Sequence, residues 1–385
     1  MKEKQDIRIE IDYRFYHLIM RLDKGQEAAG VEVEGKIKAE QSEQFNARRK
    51  LLKIEEKVQK EKQDEVRTEQ SYLNEVSRKL HEEVLRRIED EIEDIDRLNL
   101  KMLQLTPEIT EILDMMSLRA VSMMRLEPIV GSVDWLAGEI LSLVNNSSHR
   151  KKDRLGRVNR VDSVRMALSF LGIENLKLVV PSILFKNMLP KHMDNYPFFK
   201  NKVWEHAMAS ALSCKEIAAL SDVDEYQAYI IGMLHEVGKL AIAKMYFRHF
   251  EEAHQDALVS AHEEMRRDEH MALLKVEAST DYWFTAMWRY SIPLSGRILE
   301  HMDFKRLQVA EPMAEYAAKL EFQNLSPLAR VLLQGDGYAK YRVLKNYKLI
   351  NMEDAKEYLK TFRMPKGSLA NLKTKDLEKL PLVDV

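Results

Sequence analysis

IIGMLHEVGKLAI, Ile230 to Ile242, is the stretch whose reading decides the fold. Apart from His235, Glu236 and Lys239 it is apolar or small, without the alternation of a half-buried strand, so it reads as the interior of a buried helix. An imidazole beside a carboxylate, followed by a glycine and a lysine (LHEVGKL, Leu234 to Leu240), is an expensive set to place on such a helix. One helix earlier, VWEHAMASALSCKEIA, Val203 to Ala218, carries Trp204 and His206. Two histidines and an acid on neighbouring helices are candidate metal ligands, or else buried polar groups that bond to each other or to backbone.

Working outward, helical patterns continue in both directions. Before this stretch they run over Val133 to Val144, Asp162 to Leu171, Glu174 to Met188 and Val203 to Ala219, and then over Tyr226 to Met245 as one helix. Beyond it, helices are predicted for Glu269 to Tyr290, Pro293 to Met302 and Ala310 to Phe322, with a last set between Pro327 and Phe362 and little periodicity after Pro365. Thr106-Pro107 has the form of a helix start, with Glu108 at the positive helix end. Only Arg8 to Asp12 alternates weakly in the manner of a strand, inside a short amphipathic segment from Ile7 to Leu22. With 32% charged residues, 13 Gly and 10 Pro, the composition favours long helices, and the fold class is all-α.

Between Gly35 and Pro107 lie 71 residues without glycine or proline, and 26 of the 50 from Lys50 to Asn99 are charged. Val66, Leu73, Val76, Leu80, Val84, Ile88, Ile92, Ile95 and Leu98 form one narrow apolar stripe. Such an arm cannot make a core alone, so it docks on the following domain or on a second copy of itself. The chain divides into an N-terminal amphipathic segment (1–33), a charged helical arm (34–99), a helical domain (100–305) and a C-terminal helical extension with a tail (306–385).

Sixty Lys and Arg against 62 Asp and Glu give no global case for nucleic acid or an acidic membrane. The lone Cys214 excludes an internal disulfide framework and suits a reducing compartment. No signal peptide and no run of 18 apolar residues is present, so no membrane span is expected and the cytoplasm is the expected location. No Walker, dinucleotide-binding or nucleophile-elbow motif occurs. The GDG at Gly335 to Gly337 is too short for a phosphate loop. Gly172 and Gly238 are read as sites of close helix approach or of positive φ, and Trp204 and Trp288 as core aromatics.

Five segments in order resemble the HDOD family, HD-related output domains of bacterial signalling proteins: EPIVGSVDWLAGEILSLVNNS (Glu127 to Ser147), VDSVRMALSFLGIENLKLVV (Val161 to Val180), VWEHAMASALSCKEIA, IIGMLHEVGKLAI, and MWRYSIP with LEHMDF (Met287 to Phe304). The resemblance spans Leu103 to Phe304 and implies an HDOD-type multi-helix bundle, related to HD metal-dependent phosphohydrolases and preceded here by the arm. It also implies a regulatory, non-catalytic role through protein–protein contacts in a signalling pathway. HD enzymes pair His with Asp, whereas here the pair is His235-Glu236; where the family often has two adjacent histidines, this chain has His301-Met302.

The candidate metal set, a vestigial HD-type site, is His206, His235 and Glu236, with Asp336 as the closing aspartate. The extra methylene of Glu236 is expected to carry its oxygens about 1.5 Å outward, a large error for a ligand. No cofactor is therefore expected; the alternative is a divalent metal serving a phosphohydrolase or phosphodiesterase through His206, His235 and Glu236. A second candidate site is HRKKDRLGRVNR, His149 to Arg160, where Arg150, Lys151, Lys152, Arg154, Arg157 and Arg160 could meet a nucleotide, another anion or an acidic protein surface, or simply form a solvated loop. The expected partner is a protein of a signalling pathway, with homodimerisation through the arm as a further arrangement.

Overall fold

The computed structural model describes residues 7–31, 53–118, 120–146, 160–191, 193 and 196–382, with the side chains of the arm helix from residue 67 onward. Among these residues every regular element is helical. The chain opens on a hairpin, α1 (Ile7–Met20) and α2 (Leu22–Ala28), followed by the arm α3 (Lys53–Glu91) and the short α4 (Ile95–Arg97), which runs into a π-type turn at Leu98–Met102. The body contains α5 (Pro107–Met116), α6 (Met123–Ser132), α7 (Asp134–Asn145), α8 (Val164–Met188), α9 (Pro197–Ala218), α10 (Glu225–Leu234), α11 (Val237–Glu263), α12 (Arg267–Leu273), α13 (Thr280–His301) and α14 (Ala310–Ala317). It closes with α15 (Pro327–Asn346), α16 (Met352–Lys360) and α17 (Ser368–Thr374).

Helix α9 is the axis of the body. It packs on α10 and α15 along most of its length, and also touches α1 and α8. Two glycines permit that closeness: a Cβ on Gly335 would lie 2.3 Å from Cys214 Sγ, and one on Gly232 would lie 2.8 Å from the Ala211 Cα. The GDG of α15 is thus a packing device, Gly335 admitting α9 and Gly337 admitting the Phe362 ring. Gly238 likewise seats α11 on α13, since a Cβ there would fall 1.9 Å from the Ser291 carbonyl oxygen, whereas Gly172 is needed for its φ of 71°.

Several local expectations are corrected. Residues 8–12 lie in α1, because their apolar neighbours continue at helical spacing onto the body. The single helix expected over Tyr226 to Met245 breaks at His235-Glu236. Ser295 holds that break from α13, accepting from the Gly238 N–H at 2.9 Å and donating to the His235 carbonyl at 2.7 Å. Pro293 does not begin a helix but lies inside α13, and the helix expected over Glu269 to Tyr290 is interrupted between α12 and α13. The tail after Pro365 contains α17.

Helix α8 is the one helix among the described residues long and apolar enough to cross a membrane, but 61% of its apolar window is buried inside the bundle. Its apolarity is that of a core helix. The arm α3 lies along α11, α12 and α13. Val76, Leu80, Val84 and Ile88 are buried in that seam, each contributing roughly 1.5–3 kcal/mol relative to exposure.

Candidate functional site

The break between α10 and α11 turns His235 and Glu236 toward α9 and α15. There they meet His206 and Asp336, and the four buried side chains each offer a ligand atom within 4.8 Å of the others. Glu236 Oε1 lies 3.2 Å from His206 Nδ1 and 3.1 Å from His235 Nε2, and Asp336 Oδ1 lies 3.3 Å from each Nε2. The longer Glu236 side chain therefore reaches the imidazoles; its extra methylene does not displace it, because the helix break sets the distance. The imidazoles do not bond each other, their ring centroids standing 5.6 Å apart. By donor type and spacing, these four residues could hold a metal ion.

Two lysines complete the cluster; the sequence marked Lys239 only as part of LHEVGKL, without its pairing, and Lys340 was missed. Lys239, one turn after Glu236, places its buried ammonium on Glu236 Oε1. Lys340, one turn after Asp336, lies 2.8 Å from Asp336 Oδ2 and 2.7 Å from Asp12 Oδ1 of α1. The signal was present as i,i+3 and i,i+4 pairs on two apolar helices. Tyr316 of α14 donates to Asp336 Oδ2 at 2.7 Å. Burial opposes ionisation of both carboxyls, yet Lys239 holds Glu236, and Lys340 holds Asp336, well below the usual carboxylate range.

The hydrogen bonds also fix His235. Its Nδ1 lies 2.8 Å from the Gly232 carbonyl, which only accepts, and its Nε2 faces only carboxylate oxygens. Both nitrogens therefore carry protons. Burial disfavours that imidazolium, but Glu236 and Asp336 outweigh it and raise the pKa. With His235 charged, the three cations Lys239, Lys340 and His235 balance the three anions Glu236, Asp336 and Asp12.

Helix α1 closes the centre. Phe15 packs its ring 4.3 Å from that of His206, and Tyr16 presents its ring 4.9 Å from Lys239 Nζ. The Tyr16 hydroxyl reaches Ser291 Oγ at 3.1 Å. The rim of α1 is tied to α16 and the residue after it, through Arg14 to Asp354 at 2.8 Å and Arg8 to Thr361 Oγ1 at 2.8 Å. Within the four-residue centre two buried atoms lack a hydrogen bond among the described residues, His206 Nδ1, whose contact with Glu236 Oε1 at 3.2 Å is an ion-pair distance only, and Glu236 Oε2.

These observations test the metal expected of an HD-type fold. The donor set is suitable, but the charge is not. Both carboxylates already carry ammonium groups, and a metal ion would have to take the place of the proton on the His235 nitrogen that faces them. Two unit charges about 4 Å apart interact by roughly 4 kcal/mol at an effective dielectric near 20, so a dication entering here would meet repulsion from each lysine as well as attraction from each carboxylate. A divalent ion would have to displace Lys239 from Glu236 and Lys340 from Asp336 to be held by these four residues.

The remaining sequence candidates lie elsewhere. His301 is on the surface, 2.9 Å from Asp96 Oδ1. Trp204 is half-buried at the edge of a cleft of about 510 Å³ with Lys202 and Tyr347. Arg150, Lys151, Lys152, Arg154 and Arg157 lie outside the described residues, and Arg160 is exposed with Asp162 Oδ1 3.3 Å away.

An all-helical body with a His, His, Glu and Asp centre at the meeting of four helices defines the class. The HDOD domain profile matches residues 102–304, and the chain belongs to the HDOD domain family. A comparison with curated proteins gave no match. Among solved structures, the chain is similar to a candidate phosphohydrolase of Shewanella amazonensis SB2B, at 14% identity over 72% of this chain and 94% of that one, with a TM-score of 0.44. It is also similar to a candidate metal-dependent phosphohydrolase of that organism, at 15% identity over 75% and 99% and a TM-score of 0.41. A candidate signal transduction protein of Marinobacter aquaeolei VT8 matches at 17% identity over 76% and 66%, with a TM-score of 0.43.

Proposed function

We propose that this protein is a non-catalytic regulatory component of signal transduction that works through protein–protein contacts of its HDOD domain. The observation that carries this function is the pair of buried lysines. Lys239 and Lys340 neutralise Glu236 and Asp336 where a metal enzyme would use a divalent ion, and α1 closes the approach from one side with Phe15 and Tyr16. Hydrolysis at a metal needs an open coordination position for water. A centre that is internally neutral and packed against a helix of its own chain instead joins α1, α9, α11 and α15 into one unit.

The competing function is metal-dependent phosphohydrolysis at the same four residues, and the unbonded His206 Nδ1 and Glu236 Oε2 are its support. Metal analysis of protein purified without chelator, together with a phosphodiester hydrolysis screen, separates the two. We expect well below one equivalent of transition metal, no hydrolysis, and no change of melting temperature with chelator. His235→Ala should then act only through stability. One equivalent of metal, lost together with hydrolysis in that variant, overturns the regulatory function.

A further inference from the structure

Lys244 is set apart by being partly buried without a carboxylate partner among the described residues. It projects from the first third of α11, half-buried, and its one hydrogen bond among the described residues is to the Met102 carbonyl at 3.0 Å. No carboxylate among the described residues lies within ion-pair distance of it. It lines a cleft of about 370 Å³ between α11 and the chain that leaves α8, and none of the histidine-centre residues is in its lining among the described residues. Lys191 stands in the same cleft without an ion pair among the described residues, and Arg248, held by Glu91 of the arm, borders it. Glu251 is the single acid among the described residues of the lining, while Leu189 and Phe247 provide an apolar floor. A half-buried ammonium beside a second cation costs solvation that neither repays. Burial, with Lys191 adding to it, lowers the Lys244 pKa to about 8.

We propose that this cleft is a binding site for a small organic oxyanion, with a phosphate-type head set between Lys244 and Lys191 and an apolar or aromatic body on Leu189 and Phe247. Lysines serve phosphate as point charges on flexible stems, and the cleft's volume suits a ligand of metabolite size. The anion would supply a counter-charge that Lys244 does not find among the described residues, so occupancy should stabilise the fold and return Lys244 to an ordinary titration range. The site is independent of the histidine centre, and its failure would leave the proposed function untouched.

Three probes dissect it by calorimetry on the full chain: phenyl phosphate (head and body), inorganic phosphate (head alone) and benzyl alcohol (body alone). Phenyl phosphate should bind saturably and more tightly than inorganic phosphate, with a salt-dependent affinity, and benzyl alcohol should not bind. Lys244→Met should weaken phenyl phosphate by at least about tenfold. Lys191→Met, at an exposed position that leaves folding intact, should weaken it by a smaller factor. In an NMR titration of the lysine amines, saturating phenyl phosphate should raise the Lys244 midpoint. Absence of saturable binding at about 10 mM, an affinity unchanged in both variants, or a Lys244 midpoint indifferent to phenyl phosphate each overturns the site. Lys244 would then be only a cap on the Met102 carbonyl.

Discussion

The histidine centre and the docked arm both hold ionised side chains against apolar surroundings, but they solve the problem in opposite ways. In the centre the charges are enclosed: Glu236, Asp336, Lys239 and Lys340 are all nearly inaccessible, and each sign is balanced inside the cluster. Along the arm the apolar residues are enclosed and the charges stand at the rim, as in Arg87 to Asp256 at 2.8 Å, with the partners substantially exposed. The first arrangement makes the fold depend on charge matching among distant segments. The second makes it depend on buried area, with charge as a minor addition.

The sharpest way to break this contrast is to remove one charge from the centre. Lys340→Met leaves Asp336 and Asp12 facing each other without their shared cation, and an uncompensated buried charge costs about 3–5 kcal/mol. Urea unfolding should show a loss of that size. Adding Asp12→Asn should recover part of it, because one of the stranded carboxylates is then neutral. A loss below about 1 kcal/mol for Lys340→Met would mean that the centre is more hydrated than its burial implies.

The arm should respond to charge in its seam by leaving while the body stays folded. Leu80→Asp with Ile88→Asp puts two carboxylates into the contact with α11 and α13, where each side chain contributes roughly 1.5–3 kcal/mol. The loss is capped by the free energy of docking, so it should be more local than the first. Small-angle scattering should report a larger particle, and limited proteolysis early cleavage before Pro107. Unchanged shape and protease sensitivity would show that the arm's position does not rest on this seam.

The same contrast explains what could be read from the sequence. The arm's stripe was legible because periodicity encodes one-sided burial: Val76, Leu80, Val84 and Ile88 recur at helical spacing and all are buried. The all-helical body and the two histidines were legible for the same reason, and Asp336 was reachable as an acid between two glycines. What escaped was pairing across the chain. Asp12 and Lys340 are 328 positions apart, and Phe15 rests on a ring that its own local pattern cannot name. Alternation at residues 8–12 resembled a strand because both faces of α1 carry charge, Arg14 reaching Asp354 on one side and Asp12 reaching Lys340 on the other. The break at His235-Glu236 was hidden because the hydroxyl that holds it belongs to Ser295, on another helix.

The smallest expected effect lies where the two kinds of region meet, at the base of the arm. Glu91 is buried at the end of α3 and clasped by Arg248 and by His249 Nε2, the latter at 2.6 Å. Burial pushes its carboxyl up, but the His249 hydrogen bond and the Arg248 charge pull harder, and the net pKa lies below the ordinary 4.5. A carboxyl depressed in the folded state binds fewer protons there than in the unfolded chain, so the clasp contributes in full above about pH 4.5 and fades as pH falls through the folded value. Glu91→Gln removes the charge at every pH and should cost about 1 kcal/mol at neutral pH, since Arg248 remains partly solvated. The difference between wild type and variant is the informative quantity, because the other titrating carboxylates cancel in it. That difference should hold constant from neutrality down to about pH 5 and shrink below it. A gap that stays constant into the acid range would show that Glu91 acts through packing and not through its charge, which would place the base of the arm with its apolar seam.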